Sequence, residues 1–237
     1  MLDILYLAWN RLEFTKASMT ALLANTNWHM VRALWIYDDG STDGTLEFLK
    51  TVKVLDPVTL ELICPVKLER TSLRSPVSTM NHFVDRVEPK LFAKIDNDVV
   101  VPPCWLEECL LVMGQNPRVD MLGIEAMHPP LLRGVRECIP TDHIGGIGLI
   151  RSRAFEGQRM PKPNGRFGFT MWQRRHPEVV KVWLQPSLPV ILLDKLPMKP
   201  WRSLSAQYVT NGWQRMWDAY TGADRDLWSW WEGVCQS

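Results

Sequence analysis

The stretch Leu91-Phe92-Ala93-Lys94-Ile95-Asp96-Asn97-Asp98 governs how this chain is read. An apolar run that ends abruptly in acidic residues reads as a buried strand reaching the edge of a sheet. Side chains at i and i+2 of a strand point to one side, so Asp96 and Asp98 can converge just beyond the strand end. Two carboxylates that close repel unless a cation sits between them. Hard oxygen ligands of this kind suit Mg2+ or Mn2+, ions that also bind substrate phosphates. Asp-Asn-Asp is equally good turn chemistry. The triplet alone leaves both readings open, and the rest of the chain decides between them.

On the amino-terminal side, Leu2 to Ala8 is an apolar run of β-type residues broken by Trp9-Asn10-Arg11. Arg11 to Leu23 then has helical spacing. Ala33 to Tyr37 reads as a second strand and ends in the polar loop Asp38-Asp39-Gly40-Ser41-Thr42-Asp43-Gly44-Thr45. A helix follows over Thr45 to Lys50, a strand over Leu60 to Val66, and a helix over Pro76 to Val87. Beyond the triplet, Pro102-Pro103 opens a helix over Trp105 to Met113, and Val119 to Ile124 is another strand. Alternating strands and helices argue for an α/β layer with a mostly parallel central sheet. Ligands of such sheets bind beyond the carboxyl ends of the strands. Trp9 to Arg11, Asp38 to Asp43 and Asp96 to Asp98 all fall at that edge and read as one site.

Those three segments, in that order and with about 55 residues between the second and third, resemble the family 2 type of nucleotide-sugar glycosyltransferases with the GT-A fold. Asn81, in the helix before the triplet, also fits. The resemblance covers roughly residues 2–110. It implies that Asp39 hydrogen-bonds the nucleobase, that the backbone near Leu7 and Ala8 flanks the nucleoside with Asn10 and Arg11 beside it, and that Asp96 lies near the ribose and metal. Asp98 would ligate a divalent ion, Mn2+ or Mg2+, that bridges the diphosphate. A cation there stabilises charge developing on the leaving nucleoside diphosphate. Arg74 is a further phosphate contact or a solvated surface arginine. The expected donor is a UDP-sugar, with GDP or dTDP as alternatives, and the expected reaction is sugar transfer to an acceptor hydroxyl.

Downstream, Thr141 to Arg151 carries Gly145, Gly146 and Gly148 between β-type residues and resembles the family's glycine-containing acceptor segment. Glycine there lets backbone approach a sugar closely; a plain glycine-rich hairpin is the alternative. Inverting members of the family carry an acidic pair at the start of a following helix as general base. The corresponding stretch, Phe167 to Trp172, has no carboxylate. Asp142, immediately before the glycine segment, is the first substitute for the catalytic base, ahead of His176, Glu178 and Asp194. Asp194 ends the strand-like run Pro189 to Leu193, where related enzymes place a third metal ligand, so it is a candidate ligand or a strand-end cap. An inverting course is expected; if no base exists, a retaining one takes its place.

The chain is 237 residues long, 46% apolar and 22% charged, as an ordinary globular protein is. No run approaches the roughly 18 apolar residues of a membrane span, and strand-like sequence from Leu2 leaves no room for a signal peptide. Five cysteines without CxxC spacing or paired histidines argue against zinc and for idle thiols in a reducing cytoplasm. Residues 1–142 hold 14 Lys/Arg against 19 Asp/Glu, a balance of −5, and residues 143–237 hold 13 against 7, a balance of +6. The basic run from Arg151 to Lys181, with Arg174 and Arg175 on the acceptor side, could face an anionic acceptor such as modified nucleic acid; a saccharide or protein acceptor is the alternative. The tail carries Trp201, Trp213, Trp217, Trp228, Trp230 and Trp231 and reads as a helical extension packed on the catalytic domain. The expected organisation is a GT-A-type domain over 1–200, with a nucleotide-sugar half at 1–125 and an acceptor half at 126–200, followed by the extension at 201–237. Two rival functions stand beside the transferase. A nucleotidyltransferase of similar fold would need a glycine-rich loop after the first strand, where Ala8-Trp9-Asn10-Arg11 has none. A non-catalytic, sugar-nucleotide-binding or scaffold relative that kept the fold is opposed by the intact Asp39, Asp96 and Asp98 and kept open by the missing downstream carboxylate pair.

Overall fold

A computed structural model describes residues 1–73, 75–124, 135–156, 168–188 and 190–193. In chain order the strands are β1 (Leu2–Ala8), β2 (Val31–Asp38), β3 (Val54–Leu55), β4 (Leu62–Cys64), β5 (Val66–Arg70), β6 (Leu91–Asp96), β7 (Val99–Val100), β8 (Met121–Gly123), β9 (Glu137–Pro140), β10 (Ile147–Arg151), β11 (Lys181–Gln185) and β12 (Ile191–Leu192). The α-helices are α1 (Leu12–Asn25), α2 (Thr45–Leu49), α3 (Pro76–Val87), α4 (Trp105–Gln115) and α5 (Gly168–Arg175).

All seven residues of β1 are buried, as a central parallel strand covered on both faces requires. It lies between β2 and β6 in an eight-stranded sheet ordered β5-β2-β1-β6-β10-β8-β11-β9. The first four strands in that order are mutually parallel; β10 runs against both of its neighbours, β11 follows β8, and β9 closes the edge antiparallel. The fold is therefore α/β with a mostly parallel sheet, as the sequence indicates, and the sheet takes strands from both sides of residue 125.

Strand alternation sorts the core into two layers. Ile4, Tyr6 and Ala8 of β1, with Ala93 and Ile95 of β6, pack with Met19, Leu22, Trp105 and Cys109 from α1 and α4. Leu5 and Leu7, with Phe92, pack with Met80 and Phe83 of α3 and Trp172 of α5. By the same alternation Lys94 and Asp96 belong to the α3/α5 side.

Two expectations change. The single strand over Leu60 to Val66 is divided at Pro65, which has no N–H to give a ladder. β4 turns back on β3 as a separate hairpin, while β5 joins β2 in the main sheet. The strand expected over Pro189 to Leu193 shortens to β12, which pairs with β7. β9 and β11 lay outside the sequence reading altogether: β11 begins with a lysine, and β9 is a largely exposed edge strand. Arg74, Asp194 and the tryptophan-rich extension at 201–237 lie outside the described residues.

Candidate functional site

The registers bring three strand ends together. Ala8 is level with Asp38, and Leu7 with Asp96. The connections that follow then interlock. Asn10 and Arg11 both hold left-handed backbone, at φ 52° and 62°, a conformation uncommon outside glycine and concentrated at functional sites. The Asn10 N–H donates to Ser41 Oγ at 2.7 Å, and Asn10 Oδ1 accepts from the Thr42 N–H at 2.9 Å. Asn97 Nδ2 donates to Asn10 O and to Thr15 Oγ1, each at 2.8 Å. Asn97 thus spends its side chain tying the first segment to the third, while its two neighbours keep their carboxylates partly exposed.

Asp43 serves two helices. Its carboxylate accepts the Leu12 N–H at 2.9 Å and the Thr45 N–H at 3.1 Å, at the first turns of α1 and α2. Partial burial opposes its ionisation, but the hydrogen bonds from Thr45 and Leu12 outweigh that and hold its carboxyl below the ordinary range. Asp39 takes Thr71 Oγ1 at 2.9 Å on one oxygen and the Ser75 N–H at 2.8 Å on the other. Ser75 in turn caps α3 by accepting the Ser78 N–H, with Pro76 at the first helical position.

Each carboxylate of the acidic pair has an internal cation. Asp98 Oδ2 takes Arg11 Nη1 at 2.8 Å, and Asp96 Oδ2 takes Lys94 Nζ at 2.7 Å. Lys94 also donates to Gly146 O at 3.1 Å and lies over the Phe169 ring at the start of α5. Oxygens already turned towards cations suit a hard divalent ion. Among the described residues no group of three or more His, Cys, Asp or Glu is arranged to hold a metal ion by itself; Asp96 and Asp98 could hold Mg2+ or Mn2+ with phosphate oxygens and waters completing the shell. Leu193, at the end of the described segment, donates its N–H to Asp98 O at 2.8 Å.

The description "Glycosyl transferase family 2" matches residues 3–129, more than half of the chain. The chain belongs to glycosyl transferase family 2. No curated protein matches it. Among solved structures, the mannosyltransferase PcManGT from Pyrobaculum calidifontis, in complex with GDP-Man and Mn2+, is 11% identical with a TM-score of 0.60, over 87% of this chain and 61% of that one. TarS 1–349 of S. aureus in complex with UDP-GlcNAc is 13% identical with a TM-score of 0.59, over 78% and 56%. At such identities the likeness speaks for the fold, which is GT-A. The chain spans 56–61% of the length of these two proteins.

On this family 2 scaffold the structure gathers Leu7, Ala8, Asn10, Arg11, Asp39, Asp96, Asp98 and Gly146 at one edge. Asp142 opens the loop between β9 and β10. The Thr141 N–H bonds Lys181 O at the first residue of β11. The registers Lys181–Met121, Met121–Ile150 and Ile150–Phe92 put that residue level with Phe92, four residues short of Asp96. At strand dimensions that is about 13 Å along the sheet and about 14 Å across it. Asp142 pairs with His143 at 2.5 Å and Arg174 at 2.9 Å. Its loop is pinned by Gln173, whose amide takes the Ile144 N–H and donates to Ile144 O.

Gly148 and Gly123 are neighbours across β10 and β8, and Ile144 fills the gap they leave. A Cβ on Gly148 would stand 2.5 Å from Leu122 O and 2.7 Å from Ile144 Cδ1, so this glycine serves the packing of the loop before β10 onto the sheet. Sequence reasoning gave no role to Lys94, Asn97 or Gln173. For Lys94 a signal was there: one charge inside an apolar strand, two residues before Asp96 and hence on its side.

Proposed function

We propose that the chain is a metal-dependent glycosyltransferase that moves a sugar from a nucleoside-diphosphate sugar, with UDP-sugar as the first choice, to an acceptor hydroxyl. The observation that carries this is the interlock of Asn10, Ser41, Thr42 and Asn97, which brings Asp39, Arg11, Asp96 and Asp98 to one sheet edge in a family 2 chain. Asp39, oriented by Thr71 and Ser75, accepts a nucleobase N–H. Leu7 and Ala8 flank the nucleoside, and Trp9, 62% exposed beside them, offers an aromatic face. Arg11 and Arg74 meet phosphate oxygens. Asp96, Asp98 and Asp194, next in sequence to Leu193, hold Mn2+ or Mg2+; the ion neutralises charge on the departing diphosphate. The loop of Gly145 and Gly146, with Arg174 and Arg175 behind it, borders the acceptor. The free thiols of Cys64, Cys109 and Cys138 fit a reducing, cytoplasmic setting.

A second reading concerns stereochemistry. α5 starts without a carboxylate and Asp142 is engaged by His143 and Arg174, which favours a retaining transfer over an inverting one that needs a carboxylate base.

The test is thermal shift with UDP, GDP and their sugars, with and without Mn2+, on wild type and Asp98→Ala. A ligand at 100-fold its Kd adds about 2.7 kcal/mol. Nucleotide stabilisation of the wild type should require Mn2+, and Asp98→Ala should lose that metal-dependent part while keeping its own fold. Stabilisation that EDTA and Asp98→Ala both leave unchanged defeats the metal reading.

A further inference from the structure

We propose that Asn97 is a positioning residue for the donor phosphates: its amide clamps the Asn10 carbonyl, holds the left-handed backbone of Asn10 and Arg11, and so aims the Arg11 guanidinium. The inference deepens the donor reading above and rests on it for the identity of the anion that Arg11 meets.

Asn97 lies between two carboxylates in sequence but turns away from them. Its side chain goes to α1, on the side of Ala93 and Ile95, and the residue is 8% exposed. Chemistry decides which way its amide points. A backbone carbonyl only accepts, so the atom 2.8 Å from Asn10 O is Nδ2 and not the side-chain oxygen. The second amide hydrogen goes to Thr15 Oγ1 at 2.8 Å. The Thr15 hydroxyl donates in turn to Arg11 O at 3.2 Å, and the Thr15 N–H donates to the same carbonyl at 2.9 Å. Asn97 and Thr15 together secure two successive carbonyls.

Those carbonyls belong to the strained pair. Arg11 stands immediately before α1 at φ 62° and ψ 51°, a region that Asn enters far more readily than Arg does. Such backbone persists where the surroundings over-determine it. Ser41 and Thr42 hold Asn10 from the polar loop, and Asn97 holds it from the third segment. A relaxed Arg11 would carry its side chain off the line to Asp98 Oδ2, from which Nη1 now stands 2.8 Å. The rest of α1 does not depend on the clamp: Ser18 Oγ donates to Val99 O at 2.6 Å and Asn25 Nδ2 to Val101 O at 2.8 Å.

The experiment compares the full chain as wild type, Asn97→Ala, Asn97→Asp, Thr15→Val and Arg11→Gln. Asn97→Asp keeps the shape but sets an acceptor against the Asn10 carbonyl, which separates donating from filling space. The first readout is the nitrogen–proton correlation spectrum of the arginine side chains without nucleotide, in which the Arg11 signal is the one lost in Arg11→Gln. Both Asn97 variants and Thr15→Val should move that signal to the position of a free arginine. The second readout is calorimetric titration with UDP and with GDP at constant Mn2+. A lost hydrogen bond to a charged group costs roughly tenfold or more in affinity, so each Asn97 variant should bind nucleotide at least about tenfold more weakly than wild type. Added to Arg11→Gln, Asn97→Ala should bring no further loss, as for a residue that acts through another. An Arg11 signal that stays in place in Asn97→Asp overturns the proposal, and so do losses that multiply in the double variant. Thr15→Val, outside the acidic triplet, carries the same test should Asn97→Asp not fold. If neither UDP nor GDP binds the wild type, the donor reading fails, and the arginine spectrum still decides the clamp.

Discussion

His143 and Arg174 hold the Asp142 carboxyl below the usual carboxylate range, chiefly through the His143 hydrogen bond. A general base works best with a pKa near the working pH, and a carboxyl lowered further stays ionised but accepts a proton poorly. The start of β11, beside which Asp142 begins its loop, is also far from Asp96 along and across the sheet. Asp142→Asn should therefore lower kcat/KM less than tenfold. Loss of a general base costs typically 10²–10⁴-fold, and a loss of that size would establish Asp142 as the base. In that case the acid limb of the wild-type profile should lie below the ordinary aspartate value of about 3.9, because the shift is downward. At this scale the sequence was most legible where spacing fixes direction. Asp96 and Asp98 read as neighbours because i and i+2 share a side. Asp142 could not be placed by its proximity in sequence to Gly145, because the loop between them climbs the sheet over the gap left by Gly123 and Gly148.

Elements came through where local chemistry defines them. α3 runs from Pro76 to Val87 as expected, with Ser75 and Pro76 supplying the start. β1 and β6 were visible as apolar runs with polar stops. The division at Pro65 was also written in the sequence, as a missing donor, but which of its two flanks joins the main sheet depends on pairing with β2, a tertiary fact. The polar loop after β2 joins elements more tightly than its composition suggests. Asp43 bonds Leu12 N and Thr45 N, so one carboxylate satisfies the first turns of two helices. Asp43→Ala should cost about 1 kcal/mol, within the range of a lost helix cap, read as a lower denaturation midpoint at unchanged m-value. Its folded carboxyl is lowered, so this stability is present above the ordinary aspartate pKa and fades as pH falls through the folded value. The gap between wild type and Asp43→Ala should accordingly be full at pH 7 and narrow towards pH 3. A gap that holds constant across that interval would mean the carboxylate is not what secures α1 and α2.

For the molecule as a whole, the charge asymmetry is a fact of the sequence, and among the described residues the basic run from Arg151 to Lys181 is largely engaged within the fold. Arg151 donates to Val119 O and Met113 O, Arg153 pairs with Asp120, and Lys181 bonds His176 O and Val179 O. Burial pushes the Lys181 ammonium below the ordinary lysine range, as expected of a cation serving a turn rather than a ligand. Arg174 is held by Asp142, and Arg175 is exposed at the end of α5; Arg159, Lys162 and Arg166 lie outside the described residues. A count of basic residues could not show this, because the partners of Arg151, Arg153 and Arg174 lie about 30 residues or more away in sequence. The consequence for the acceptor is measurable. Each phosphate contact on a single strand contributes about 0.7 to the slope of log affinity against log salt. If single-stranded DNA binds near the acceptor loop, Arg174→Ala/Arg175→Ala should reduce that slope by no more than about 0.7, the share of Arg175 alone. Fluorescence anisotropy at a series of salt concentrations reads it directly. A reduction of about 1.4 or more would mean that Arg174 leaves Asp142 for phosphate when an anionic acceptor arrives. In that event the Asp142–Arg174 pair is a latch on the acceptor side, and the polyanionic acceptor gains over a neutral saccharide.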